Sequence, residues 1–309
     1  MDKSTKIKVF GIGGSGSNTI TRMMSCKMEG VELVAINTDL QDLKKTRAHK
    51  KIRIGEETTK GLGTGMDPLI GKKAAEEDRE LISKTLEGSD LLFIACGLGG
   101  GTGTGAAPVI AEVSKSMNIL TVAVVTTPFS FEGRDRLNIA KRGLSNLEDK
   151  VDTLISVSND KLSSIIDPKT SVKSAFEICD EALNQAVRGI SDLITLPGII
   201  NIDFADVRSI LKSSGSAIFG IGRAQGEDRA KKAIAAALNL SLIETPCSKA
   251  KGVLFNVSGG EDINLVEINE MADEIRRRVA PDAKIIFGAV QGEDLKKGEI
   301  KVTVIATGF

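Results

Sequence analysis

Residues 97–105 read Gly97-Leu98-Gly99-Gly100-Gly101-Thr102-Gly103-Thr104-Gly105. The run before it, Leu91-Leu92-Phe93-Ile94-Ala95-Cys96, is apolar and long enough for a buried strand. The run after it, Ala106-Ala107-Pro108-Val109-Ile110-Ala111, predicts a helix with Pro108 in its first turn. Strand, glycine loop and helix start together make an anion site. Unpaired N–H groups at the helix start point outward, and the helix dipole favours negative charge there. Glycine supplies turns with positive φ and lets a phosphate approach without a Cβ in the way, and the threonine hydroxyls add donors or meet a metal ion. A flexible linker would not be flanked by a buried strand and an apolar helix.

Toward the N-terminus, Lys6 to Phe10 predicts a strand running into Gly11-Ile12-Gly13-Gly14-Ser15-Gly16-Ser17-Asn18, with a helix from about Thr19. Gly11, Gly13 and Gly16 form GxGxxG. Val31 to Ile36 is a second strand, and Asp39 lies about where a dinucleotide-binding sheet keeps its ribose acid. That stretch alone argues for a nicotinamide or flavin enzyme. The second glycine loop at 97–105 is foreign to that fingerprint and counts against an oxidoreductase, and no GxxxxGK[ST] phosphate loop occurs. Lys60-Gly61-Leu62-Gly63-Thr64-Gly65 is a further glycine turn. Asp67-Pro68 reads as the cap and first residue of a helix to about Glu87, buried through Ala74, Ala75, Leu81, Ile82 and Leu86. The basic run from Lys44 to Arg53, with His49, reads as a solvated face.

Toward the C-terminus, strands at Ile119–Thr126 and Thr153–Val157 alternate with helical segments, so the first half predicts a parallel, doubly wound α/β sheet. Its loops fall at strand C-terminal ends, where such sheets bind ligands. Ser171 to Ile194 carries a broad apolar stripe at helical spacing and predicts a long core helix ended by Pro197-Gly198. After Asn201, Asp203 and Asp206, the last hundred or so residues read as a smaller α+β domain, with Asn264 and Glu267 placed for a capping box. The expected division is 1–170, a nucleotide-binding domain; 171–194, the core helix; and 195–309, the α+β domain.

The 309 residues are enough for two domains, and 41% apolar content is ample for a core. Basic and acidic residues number 41 each, so no bulk attraction to nucleic acid or an anionic membrane is expected. Cys26, Cys96, Cys179 and Cys247 are far apart and expected to be reduced thiols of a cytoplasmic protein. Neither a secretory leader nor a membrane span is expected.

Taken together, GLGGGTGTG after a buried strand, GIGGSGSN at 11–18, NTD at 37–39, GLGTG at 61–65, FEGRDR at 131–136, SND at 158–160 and NIDFADV at 201–207 resemble the tubulin/FtsZ family over the whole chain, and its bacterial and archaeal FtsZ branch most. The resemblance implies a GTPase that polymerises head to tail with itself and forms the cytokinetic ring. An alternative is a tubulin-like filament former in plasmid segregation or cell shape. Carried over by position, Gly13, Gly14, Ser15 and Gly16, with Gly99, Gly100, Gly101, Thr102, Gly103 and Thr104, hold the phosphates of GTP or GDP. Asn18, Asn159 and Asp180 read the base, and Glu132 and Arg136 meet ribose and phosphates. Mg²⁺ is expected on the phosphates rather than on a protein cage. A carboxylate suits guanine, whose N1–H and N2–H₂ are donors. Glu181 is a second acid beside Asp180, and Ser15 and Ser17 stand where the family often has glycine.

With Asp180 at the base, the core helix runs on roughly 13 residues, about 20 Å at about 1.5 Å per residue. Asp203 and Asp206, with Asn201 assisting, would then act as catalytic groups on a neighbouring subunit's GTP, orienting the attacking water. The competing structural role is that Asp206 caps a helix beginning at Val207. Division and membrane-anchor partners are expected through a C-terminal tail lying beyond Phe309, and the protein is expected at the division site.

Overall fold

Strand and helix alternate from the first residues of the computed structural model, which describes residues 5–26, 28–163, 166–167, 169–239, 249–260, 262–291 and 295–309. Two compact units result, Met1–Arg188 and Gly189–Phe309. The expectation for Cys247 lies outside the described residues. The first unit runs β1 (Ile7–Ile12), α1 (Gly13–Met23), β2 (Val31–Asn37), α2 (Leu40–Lys45), β3 (Lys50–Arg53), α3 (Glu56–Thr59), α4 (Pro68–Glu77), α5 (Arg79–Leu86), β4 (Leu91–Gly97), α6 (Gly101–Ser116), β5 (Leu120–Thr127), α7 (Arg134–Glu148), β6 (Thr153–Ser158) and α8 (Asn159–Ser163). Helix α9 (Val172–Thr195) carries the chain from one unit into the next. The second unit continues with β7 (Gly198–Ile200), α10 (Phe204–Leu211), β8 (Gly215–Gln225), α11 (Arg229–Asn239), β9 (Gly252–Gly259), α12 (Leu265–Arg278), β10 (Lys284–Gln291) and β11 (Glu299–Thr307).

The first sheet has the order β3-β2-β1-β4-β5-β6, parallel throughout. Both faces are covered, so its strands are near-continuous apolar runs: Leu91 to Cys96 of β4 are all buried. Phe10, Ile36, Ile94 and Val125 pack against α4, α5, α6 and α7 on one face. The strand order reverses between β1 and β4, and a crevice forms there outside the strand C-terminal ends.

Three helices differ from the sequence reading. Helix α1 starts at Gly13 rather than near Thr19, and α6 at Gly101, so Pro108 lies inside α6 and not in its first turn. Glycine is a poor helix former, which hides these starts in the sequence. Close packing requires it: a Cβ at Gly105 would lie 2.6 Å from the Lys72 amide of α4, and one at Gly16 would lie 2.6 Å from the Ala95 carbonyl. Ser15 and Ser17 are ordinary helical residues at no backbone cost. The helix expected from Pro68 to Glu87 breaks at Asp78, whose carboxylate accepts from the Gly55 amide at 2.7 Å. Leu81 is 40% exposed rather than buried. Asp67 caps α4 as expected, accepting from the Leu69 amide. His49 is structural, its Nδ1 accepting from the Leu33 amide at 3.0 Å.

In the second unit β8, β11 and β9 pair antiparallel, β10 adds parallel to β9, and β7 pairs antiparallel with β10. Helices α11 and α12 cover one face through Ala233, Ile234, Met271 and Ile275. Asn264 and Glu267 form the capping box of α12. Glu267 also accepts from Arg229 Nε at 2.6 Å, and Asp262 accepts from Arg229 Nη1 at 2.6 Å, so a buried guanidinium ties α11 to the start of α12.

Candidate functional site

The crevice between β1 and β4 is a pocket of about 430 Å³. Two helix N-termini face it. Gly13, Gly14 and Ser15 of α1 and Gly101, Thr102 and Gly103 of α6 line it. Neither helix has a side-chain cap, and neither carries an acid in its first turn. Their leading N–H groups are therefore left for a ligand, and both helix dipoles favour an anion at the same place. Among the described lining residues Arg136 is the one cation, and it pairs with Glu132. The other Glu132 oxygen accepts from the Phe129 amide at 3.0 Å. Backbone amides thus carry most of the anion-binding capacity.

Thr102 adds hydroxyl chemistry. Its Oγ1 lies 2.7 Å from Thr38 Oγ1 and 3.4 Å from Thr64 Oγ1. Among the described residues no group of three or more His, Cys, Asp or Glu could hold a metal by itself. Hydroxyls without carboxylates fit Mg²⁺ of the kind that keeps its waters and rides on phosphates.

Asn18, Asn159, Phe176 and Asp180 line the same pocket. Asn159 is 5% exposed, and its Oδ1 is buried without a hydrogen-bond partner among the described residues, an acceptor available to a donor on a ligand. Burial pushes the Asp180 carboxyl up to about 6, with Glu177 adding to the rise. Arg22 and hydrogen bonds from Thr19 and Ser15 oppose it. The Cys179 thiol beside it is pushed up to about 12, chiefly by burial and further by Asp180 and Glu132, so it stays neutral. Glu181 turns to its own helix, accepting from Asn184 and Gln185.

Of the residues singled out in the sequence, Gly13, Gly14, Ser15, Asn18, Gly100, Gly101, Thr102, Gly103, Glu132, Arg136, Asn159 and Asp180 meet in this pocket. Gly16, Gly99 and Thr104 do not line it. Gly16 lets α1 lie against β1 and β4. Gly99 takes a left-handed turn, φ 98°, and donates its amide to Thr104 Oγ1 at 3.0 Å, so this pair shapes the loop from behind. Asp39 caps α2, accepting from the Gln41 and Asp42 amides, and is absent from the lining.

Phe176 and Thr64 line the pocket without having been singled out as site residues. Thr64 belongs to the GLGTG turn. Phe176 precedes Asp180 by one helical turn, which puts both on one face of α9. Its ring meets Phe129 edge-on at 5.2 Å, and Phe129 stacks on Phe131 at 4.9 Å.

Asn201, Asp203 and Asp206 belong to the second unit, whereas every lining residue belongs to the first. All three are exposed. Helix α10 begins at Phe204, so Asp206 sits in its first turn and is not the cap. Asp203 holds the cap position without a side-chain capping bond. Neither carboxylate has a side-chain partner among the described residues. Asn201 Oδ1 accepts from the Gly198 amide at 2.7 Å and holds the turn in place.

The GTPase-domain model of the tubulin/FtsZ family matches residues 6–167, and the FtsZ family C-terminal domain model matches residues 215–309. Among solved structures, an empty FtsZ dimer from M. jannaschii is 46% identical with a TM-score of 0.95, covering 100% of this chain and 89% of that one. A point mutant of M. jannaschii FtsZ is 47% identical with a TM-score of 0.95, covering 99% and 91%. CetZ2 from Haloferax volcanii, a GTPγS-bound protofilament, shares the fold at 22% identity and a TM-score of 0.82, covering 98% and 92%.

Proposed function

The chain belongs to the tubulin/FtsZ family of GTPases, and on that premise we propose that it polymerises head to tail and hydrolyses GTP at a site completed between adjacent subunits. The carrying observation is the convergence of two uncapped, acid-free helix N-termini on one pocket that Asp180 also lines. Phosphates lie on the amides of Gly13, Gly14, Ser15, Gly101, Thr102 and Gly103, at the positive ends of α1 and α6. Glu132 and Arg136 meet the ribose and phosphates. Guanine reaches Asp180, whose carboxylate accepts from N1–H and N2–H₂, with Asn18 and Asn159 beside it. Adenine, with an acceptor at N1, would leave the carboxylate facing a lone pair.

The pocket is better furnished for binding than for hydrolysis. Its carboxylates are Glu132, spent on Arg136 and the Phe129 amide, and Asp180, at the base end. No other described lining residue is a base able to orient water at the phosphate end. The uncommitted carboxylates of Asp203 and Asp206, on the 195–309 domain, supply that function to the GTP of the next subunit, with Asn201 assisting. Mg²⁺, when bound through the phosphates near Thr102, neutralises their charge.

A chain that stacks with unlike faces gives an open filament. The cellular role we assign is the cytokinetic ring of prokaryotic division, in the cytoplasm, since M. jannaschii FtsZ is far more similar in sequence than CetZ2. No helix among the described residues is long and apolar enough to cross a membrane.

The test is GTP hydrolysis per subunit across a protein dilution series, with Asp206→Ala alongside. A rate near zero below a threshold concentration, rising above it and lost in the folded variant, supports the shared site. A constant rate per subunit, indifferent to the substitution, overturns it.

A further inference from the structure

Helices α4, α6 and α7 enclose a second cavity that the nucleotide site does not use. Its volume, about 450 Å³, matches the about 430 Å³ of the nucleotide pocket. The lining is largely apolar: Pro68 and Leu69 from α4, Pro108 and Val109 from α6, Ile139 from α7. Leu69 is 74% exposed at its rim. Most charge around it is already spent. Lys72 pairs with Glu76 at 3.6 Å, Lys150 pairs with Glu112 at 2.7 Å, and Asp67 accepts from the Leu69 amide at 2.8 Å. Arg142 lines the cavity and has no hydrogen bond or ion pair among the described residues. An apolar bed with one unspent guanidinium suits a ligand with a flat apolar body and a single anionic head, because guanidinium pairs with carboxylate, sulfonate or phosphate in a forked geometry.

The cavity shares a wall with the phosphate-binding loop. Thr104 lines it, and the same side chain accepts the Gly99 amide at 3.0 Å, immediately before pocket-lining Gly100. On its other side Thr104 Cγ2 fills the space left by Gly143 of α7, where a Cβ would lie 2.5 Å away. A ligand pressing α7 away from α6 would act on Thr104, and through it on the Gly99 turn.

We propose that this cavity binds a small anionic amphiphile anchored by Arg142, and that its occupancy is coupled to nucleotide affinity through Thr104. Only the coupling clause rests on the GTP reading.

The probe is 8-anilinonaphthalene-1-sulfonate, an aromatic sulfonate that fluoresces in apolar surroundings; the chain has no Trp or Tyr to interfere. It is titrated into the whole protein with and without GDP. The expected result is one saturable site in both conditions, weakened at least tenfold by Arg142→Glu and less than twofold by Arg277→Glu, the same charge change on α12. Saturating probe is expected to shift the Kd for GTP at least threefold, with GTP shifting the probe's Kd by the same factor. Thr104→Val should keep probe binding and lose the shift. Unsaturable binding, or equal weakening by both charge variants, overturns the site. Binding without a shift in GTP affinity overturns the coupling. Failure of GTP to bind at all would retire the nucleotide reading, while the Arg142 dependence would still decide the cavity.

Discussion

Asp180 carries the clearest consequence at the scale of a single residue. Its carboxyl, at about 6 in the folded chain against an ordinary 3.8, holds a proton more tightly folded than unfolded. The sign follows: its contribution to stability is full below about pH 4 and is lost as pH rises through about 6. On the proposed reading guanine donors need the ionised form of Asp180, so nucleotide binding would expel that proton. Affinity for GTP should therefore fall by about fivefold between pH 6 and pH 5, and calorimetry in buffers of different ionisation heat should show proton release there. In Asp180→Asn the slope should vanish and affinity at pH 7 should drop roughly 10- to 100-fold, the size of a lost charged hydrogen bond. The sequence itself placed the acid only on the core helix, off its apolar stripe; its place at the site came by position from the family resemblance. The roles of Gly99 and Thr104 were not legible, because a pair that braces a loop from behind has the same letters as a pair that touches the ligand.

At the scale of the element, α6 shows two different uses of glycine in one run. Gly100 caps the helix at φ −95°, with open space where a Cβ would point, and lines the pocket. Gly105 faces α4, where a Cβ has no room. Gly100→Ala should leave the thermal midpoint within a degree or two and weaken GTP binding. Gly105→Ala should cost about 1–3 kcal/mol by overpacking, seen as a lower denaturant midpoint. Asp67→Ala, which removes the α4 cap, should cost about 1 kcal/mol. Caps such as Asp67 and Asn264 could be read ahead because their signal is local. The starts of α1 and α6 could not, since tertiary contact there overrides a poor helix propensity. The break at Asp78 was equally hidden: it depends on the Gly55 amide, distant in sequence.

For the whole molecule, the proposed division of labour between units makes a mixing prediction. Asp180→Ala subunits should bind GTP poorly but keep Asp203 and Asp206, whereas Asp206→Ala subunits should bind GTP and lack the carboxylate proposed to be catalytic. Each alone should hydrolyse little; mixed, they should recover measurable phosphate release, because some junctions pair a competent pocket with a competent carboxylate. Self-contained active sites would give no recovery. The sheet's free edge bears on the same assembly. Strand β3 is short, and its Lys50 and Lys51 are exposed. A second chain extending the sheet there would have to desolvate both ammonium groups against an incoming strand. That cost guards against sideways, amyloid-like accretion of the folded chain, and in the proposed filament it would help confine growth to one dimension.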